Sequence, residues 1–287
     1  MSKVIIIGNG PAGISASLYT KRAGIDTTVI GMGIGALKKA DKIENYYGFA
    51  EPISGETMYE NGIQSAKNLG VQLINDQVLS IGFEESLNVV CESQAYEADA
   101  VIIATGSARK VPKIPGVSEF EGRGVSYCAV CDGFFHRGNN VVVLGNGEYA
   151  VHEAKELLPI AGSVTILTNG EELTTTVPSE INVIKTKISK IDGDMVLSTV
   201  VFEDNSTMEI TGFFVALGVA GSGDLARKLG AMTEGNKILV NEKMATNVPG
   251  LFAAGDCTPG MLQIAKAVYQ GAEAGMAAVK FIREKSK

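Results

Sequence analysis

Cys128 and Cys131 stand with two residues between them in the stretch YCAVCDGFF, with Asp132 directly behind the second. A Cys-x-x-Cys pair can close a small, readily exchanged disulfide or supply half of a zinc site. Zinc needs two more ligands. The remaining candidates, Cys91, Cys257, His136 and His152, form no second paired motif. The pair therefore reads as redox, and no metal is expected. A helix starting at the pair would lower one thiol's pKa and favour thiolate, the form that attacks a disulfide. Asp132 is placed to exchange a proton as thiol and thiolate interconvert. Cys91 and Cys257 read as small buried core residues, and His136 and His152 as structural.

A repeat supplies the elements that must hold this pair. VIIIGNGPAGISA (Val4–Ala16) is echoed by VVVLGNGEYAVHE (Val141–Glu153), and AVIIATG (Ala100–Gly106) by GFFVALG (Gly212–Gly218). Each long copy is an apolar β-branched strand, a Gly-x-Gly turn and a helix start. The expected fold is α/β, with two Rossmann-like, three-layer dinucleotide-binding domains, the second inserted into the first. The expected bounds are 1–111 with 219–287 for the first domain, and 112–218 for the second. The proline-punctuated KVPKIPG (Lys110–Gly116) reads as the hinge. VPGLFAAGD and the helix after it have no sheet of their own and are assigned back to the first domain.

In the first copy Gly8, Gly10 and Gly13 form a full G-x-G-x-x-G. Such glycines allow a tight turn, let the backbone approach a pyrophosphate, and pack the helix on the sheet. The ribose-binding acid usual about 20 residues further on is missing, because the strand TTVIGM reaches only Ile30 and Gly31. LFAAGD (Leu251–Asp256) is a second cue. An aspartate at a strand end can hydrogen-bond a hydroxylated chain lying against the next helix N-terminus.

Composition narrows the class. Of 287 residues 45% are hydrophobic and 20% charged, as in a globular protein. The net charge of −7 is opposite in sign to that of a general nucleic-acid binder. No run approaches the roughly 20 apolar residues of a membrane span, and MSKVIIIGNG is too short an apolar run for a signal peptide. Four cysteines in this length make no disulfide scaffold, so a reducing, cytoplasmic compartment is expected.

GNGPAGISA, IIATG, CAVCDGFF, GNGEYA and FAAGD, in this order and spacing, resemble the low-molecular-weight thioredoxin reductases over nearly the whole chain. The resemblance implies FAD in the first domain. Gly8, Gly10 and Gly13 would meet its pyrophosphate, and Asn45 would sit by the flavin. Thr105 and Gly106 would lie along the cofactor, Asp256 would hold the ribityl chain, and Gln263 would approach the ring. Asn9, Pro11, Ala12, Gly31, Val78, Ala104, Gly255 and Ile264 complete the implied cofactor-binding set. Leu262 replaces the arginine that the family carries before the glutamine, and GALKKADKIENYYG replaces its Gly-Gly-Gln loop. The resemblance further implies that Cys131 faces the flavin, Cys128 exchanges with the partner disulfide, and Asp132 is the acid–base. It also implies a homodimer, and a second domain whose rotation would here serve to expose Cys128.

The electron donor is the open link. The second domain keeps LGNGEYA, with Gly145 and Gly147 and the allowed Ala150 in third place. Where the family carries His-Arg-Arg and a further arginine, this chain has Thr168, Asn169, Gly170, Glu171 and Glu172. Guanidinium groups match a phosphate and carboxylates repel it, so NADPH binding in the family manner is not expected. No acid ends the strand to suit NADH, and TTTVPSEINVIKTK is too short for the family's helix. Both features resemble the ferredoxin-dependent flavin thioredoxin reductases, with ferredoxin as donor and thioredoxin as acceptor. Lys38, Lys39 and Lys42 offer a basic docking loop for an acidic ferredoxin, or are a plain solvated loop. Two other readings stay open. One is an NAD(P)H-dependent reductase with an atypical nucleotide site; the other is a non-catalytic FAD-binding redox sensor, against which the intact CAVCDG argues. Nothing discriminates among dithiol acceptors, a glutaredoxin-like protein included.

Overall fold

The computed structural model describes residues 2–106 and 111–285. Lys110, the first residue of the expected hinge, lies outside them. The chain divides into two compact units, Met1–Arg109 with Gly221–Lys287, and Lys110–Ala220.

The first unit opens with β1 (Lys3–Ile7). Its Val4, Ile5, Ile6 and Ile7 are all buried, as a central strand of a parallel sheet requires. Helix α1 (Pro11–Arg22) starts on a proline, where the missing N–H has no helical partner to lose. It is buried along most of its length, so its hydroxyls must find acceptors within the fold. Ser17 donates to Ile14 O at 2.7 Å, Thr20 to Ser17 O at 3.1 Å, and Ser15 to Val268 O at 2.7 Å. Strand β2 (Asp26–Ile30) follows, then α2 (Gly55–Asn68), capped by Ser54, and β3 (Gln72–Ile74). An antiparallel meander, β4 (Val78–Phe83), β5 (Leu87–Cys91) and β6 (Ala95–Ala98), leads to β7 (Ala100–Ile103).

The second unit runs through β8 (Val125–Ser126), α3 (Ala129–Asp132), β9 (Asn140–Leu144), α4 (Glu148–Leu157), β10 (Ser163–Leu167) and β11 (Asn182–Ile184). A meander of β12 (Ile188–Gly193), β13 (Leu197–Phe202) and β14 (Thr207–Glu209) precedes β15 (Gly212–Val215). The chain then returns to the first unit with α5 (Ser222–Lys228), β16 (Thr233–Glu234), β17 (Lys237–Ile238), β18 (Leu251–Ala253) and α6 (Ile264–Lys285). Among the described residues no helix is long and apolar enough to cross a membrane.

Each unit is built on a five-stranded sheet with every pairing parallel. The orders are β18-β7-β1-β2-β3 and β8-β15-β9-β10-β11. The α/β architecture of two Rossmann-like folds is thus the one the repeat implied. The two copies differ in two places. Residues 168–181, all described, contain no helix, whereas α2 joins the equivalent strands of the first unit. The outer position that β18 holds in one sheet is taken by β8 in the other, and β8 runs directly into Tyr127 and Cys128. In the first sheet Ile7 lies opposite both Ile30 and Ile103, and Ala253 opposite Ile103. Four strands therefore end level, and the turns after them share one edge.

Candidate functional site

The carboxyl edge of the first sheet is where an open parallel sheet binds ligands. The turn after β1 is shaped by its glycines. A Cβ on Gly8 would stand 2.3 Å from Ala104 O, and one on Gly13 1.8 Å from Gly8 O, so these two positions let chain segments touch. Gly10 is different: a Cβ there would meet nothing within 4 Å, so its space is left to a ligand. Gly10 also caps α1 with no side-chain hydrogen bond, and Pro11 and Ala12 form the first turn. The free N–H groups and positive end of that turn suit a pyrophosphate. Asn9 packs on Gly31 at the end of β2 and donates to Tyr59 Oη at 2.9 Å.

Ala104, Thr105 and Gly106 follow β7, and Gly255 and Asp256 follow β18. Among the described residues, Thr105 Oγ1 and Asp256 Oδ1 are both buried without a hydrogen-bond partner. A buried polar atom left so costs about 1–3 kcal/mol, and two at one sheet edge mark a place that a polar ligand completes. The Asp256 turn is held from α6. Gln270 Oε1 accepts the Gly255 N–H at 2.9 Å and the Thr258 hydroxyl at 2.8 Å. Lys266 Nζ donates to Gly255 O at 3.1 Å and Thr258 O at 3.2 Å, and Lys237 donates to Asp256 O. Burial lowers the Lys266 ammonium from its ordinary value, with the Asp256 carboxylate acting in the opposite direction. None of Tyr59, Lys237, Lys266 and Gln270 stands in a recognisable motif; they are legible only once the turns they brace are in place. Asn45 Nδ2 donates to Gln263 Oε1 at 3.1 Å across 218 residues of chain, joining two positions expected beside the flavin. Ile264 opens α6. Val78 opens β4 and is buried against Cys91. Burial pushes the Cys91 and Cys257 thiols up to about 12, so neither supplies thiolate at neutral pH.

In the second unit a disulfide joins Cys128 to Cys131. Cys128 caps α3, with its sulfur accepting the Cys131 N–H at 3.2 Å. Cys128 is 2% exposed, whereas Cys131 is open to solvent. Ser126 Oγ accepts the Cys128 N–H at 3.1 Å and donates to Asp132 Oδ2 at 2.6 Å, so one hydroxyl fixes the redox turn and the acid together. His136 lies among the buried residues, with Nδ1 3.1 Å from Thr211 Oγ1 and its ring edge-on to Phe214. Burial lowers the imidazole, and the Asp132 charge works against that. Beneath the pair, Glu153 Oε2 accepts the Ala129 N–H at 2.9 Å. Around it Val130, Phe134 and Phe135 are exposed, an apolar rim beside a reactive bond.

The second glycine turn is occupied by its own chain. Thr174 N–H and Oγ1 donate to Asn146 O at 2.9 and 3.2 Å. Asn146 Nδ2 donates to Glu172 O at 2.9 Å, and Thr175 Oγ1 to the Glu148 carboxylate. Thr174 Oγ1 stands 3.2 Å from where a Gly147 Cβ would be. The strand-end residues are also taken: Asn169, at φ 54°, accepts the Ile188 N–H at 2.7 Å, and Glu172 pairs with Lys185 at 2.7 Å. The Gly-x-Gly of this unit thus faces residues 172–175.

Residues 2–271 match the model of the pyridine nucleotide-disulphide oxidoreductase family. A thioredoxin reductase of Aquifex aeolicus is 34% identical over 99% of this chain and 94% of its own length. The chain belongs to the thioredoxin reductase family. Among solved structures, the atypical thioredoxin reductase TRi from Desulfovibrio vulgaris Hildenborough superposes with a TM-score of 0.91 at 41% identity, covering 99% of both chains. A ferredoxin-flavin thioredoxin reductase from Clostridium acetobutylicum gives 0.70 at 32% identity, covering 100% of both. As a member of this family the protein is a flavin-dependent disulfide oxidoreductase, and FAD is its cofactor. The first unit fits that group, with an open Gly10, an uncapped α1, and the unpartnered Thr105 and Asp256.

Proposed function

We propose that the protein reduces thioredoxin through the Cys128–Cys131 disulfide, with reduced ferredoxin rather than a pyridine nucleotide as electron donor. The observation that carries this reading is the filled glycine turn of the second unit. A dinucleotide would have to displace Thr174 from Asn146, and would meet Glu171 and Glu172 where the family's arginines would be. Lys185 balances only one of these two carboxylates.

FAD supplies the junction between one-electron and two-electron carriers. Gly8–Gly13 would bind its pyrophosphate, Thr105 and Asp256 its polar chain, and Asn45 and Gln263 would stand at the flavin. The set is completed by Gly31, Val78, Ala104, Gly106, Gly255 and Ile264. Reduction of the pair breaks one S–S bond and takes up two electrons and two protons. Asp132, oriented by Ser126 at 2.6 Å, holds and delivers a proton at the sulfurs. Cys128 as thiolate then attacks the thioredoxin disulfide, and Cys131 attacks the resulting mixed disulfide and releases dithiol thioredoxin. The exposed Val130, Phe134 and Phe135 give thioredoxin an apolar surface to dock on. Cys128 is buried in the structure, so its role requires that it be uncovered. We further propose a cytoplasmic homodimer.

Ferredoxin docks at Lys38 and Lys39, both exposed on the turn Gly35–Lys39; Lys42 is paired with Glu44 at 2.7 Å and contributes less. The test is steady-state reduction of thioredoxin. Turnover is expected with reduced ferredoxin and not with NADPH or NADH. Reversal of both charges (Lys38→Glu with Lys39→Glu) should raise the ferredoxin concentration for half-maximal rate at least fivefold at low salt. An unchanged half-maximal concentration removes the docking site, and nucleotide-driven turnover at the ferredoxin rate removes the donor.

A further inference from the structure

A dinucleotide fold ordinarily ends its second strand on an acid that holds the adenosine ribose. In this chain β2 ends at Ile30, and Gly31 follows. The structure fills the acid's place from another element. A Cβ on Gly31 would stand 2.8 Å from Asn9 Cγ and 2.9 Å from Asn9 Oδ1, closer than a real side chain can begin. An acid at position 31 and Asn9 as it lies therefore exclude each other, and the Asn9 carbonyl takes the space where that acid would start. Asn9 belongs to the glycine turn, and the Gly8 N–H donates to Ile30 O at 2.7 Å. The pyrophosphate turn and the end of β2 are thus joined at this point.

The Asn9 amide is also oriented. Its Nδ2 donates to Tyr59 Oη at 2.9 Å. Tyr59 stands on the second turn of α2, and the start of that helix is fixed. Ser54 Oγ accepts the Thr57 N–H at 3.0 Å, and a Cβ on Gly55 would stand 2.1 Å from Leu37 O. Burial raises the Tyr59 phenol above its ordinary value, so it stays neutral. An amide carries donors on its nitrogen and an acceptor on its oxygen. With the nitrogen held by Tyr59, the oxygen is presented at the end of β2 as an acceptor, which suits a sugar hydroxyl.

We propose that Asn9 replaces the missing strand-end acid, its Oδ1 accepting a hydroxyl of the adenosine ribose of FAD, and that Tyr59 is the positioning residue that turns the amide. The pair recognises the nucleotide half of the cofactor and takes no part in electron transfer. The inference concerns FAD alone and holds whichever donor reduces the flavin.

The test exchanges the flavin-loaded enzyme to equilibrium against an FAD analogue whose adenosine lacks both ribose hydroxyls. Bound flavins are separated from free ones and their ratio is read by mass. The parent should prefer FAD at least tenfold, because a site built to hydrogen-bond a hydroxyl rejects a ligand without it. Asn9→Ala should bring the preference within threefold. Asn9→Asp keeps an acceptor and should keep the tenfold preference. Tyr59→Phe keeps the ring, removes the hydroxyl, and should lower the preference at least threefold while melting within a degree or two of the parent. It also decides the matter if Asn9→Ala does not fold. A parent preference below threefold, or an Asn9→Ala preference equal to the parent's, overturns the proposal. An unchanged preference in Tyr59→Phe overturns the positioning role.

Discussion

Cys128 and Cys131 are three residues apart but live in different environments, one 2% exposed and capping a helix, the other open to solvent. The proposed roles run against the simplest assignment, in which the exposed sulfur meets the partner. The proposed order of attack makes a definite demand on single-cysteine variants. With a thioredoxin lacking its resolving cysteine, Cys131→Ser should accumulate a mixed disulfide through Cys128, and Cys128→Ser should trap at least tenfold less. Gel shift under non-reducing conditions reads the outcome, and the reverse ratio would exchange the two roles. Asp132 stands out in the sequence by its place behind the second cysteine. Ser126, which orients it at 2.6 Å, does not, because a serine six residues upstream has no spacing rule that links it to an aspartate. Glu153 was hidden for a different reason: the partner it holds is a backbone N–H, which no sequence pattern shows.

At the scale of elements, the glycines of the first turn divide by what surrounds them rather than by their place in the motif. Gly13 sits against Gly8 O and Gly10 faces open space. Ala at Gly13 must push the helix off the strand, and overpacking of that kind costs about 1–3 kcal/mol. Ala at Gly10 needs no backbone change, since φ is −78° there. Gly10→Ala should therefore melt within a degree or two of the parent when stripped of FAD, yet bind FAD at least tenfold more weakly. Gly13→Ala should lose several degrees with or without FAD. Thermal melts of apo and reconstituted protein distinguish them, and equal loss of stability in both variants would contradict the assignment of Gly10 to the cofactor. The strands, turns and helices of both copies could be read from VIIIGNGPAG and VVVLGNGEYA because buried β-branched runs and Gly-x-Gly turns are local signals. The meeting of Asn45 with Gln263 at 3.1 Å was legible only through resemblance. The return of Thr174 to Asn146 was not legible at all, since a hydrogen bond across 28 residues depends on where the shortened connection between β10 and β11 happens to fold.

Across the whole molecule, one architecture appears twice and has diverged in what its glycine turn faces. The first turn faces open space beside two unpartnered buried polar atoms. The second faces Thr174 and its neighbours. A fold can keep its core while losing its ligand because the strands bury the same apolar residues in either case; Val142, Leu144, Phe213 and Val215 lie in the second core much as Val4, Ile6 and Ile102 lie in the first. On the proposed reading, electrons arrive from a carrier that does not use the second unit's turn. With a net charge of −7, an acidic carrier is repelled at long range and needs the local Lys38–Lys39 site to dock. The most direct measurement follows flavin absorbance without oxygen as NADPH, NADH and then reduced ferredoxin are added at stoichiometric levels. Bleaching within seconds by ferredoxin, with neither nucleotide acting on that timescale, is the predicted result. Stoichiometric bleaching by either nucleotide would mean that residues 172–175 leave the glycine turn readily, and would contradict the account.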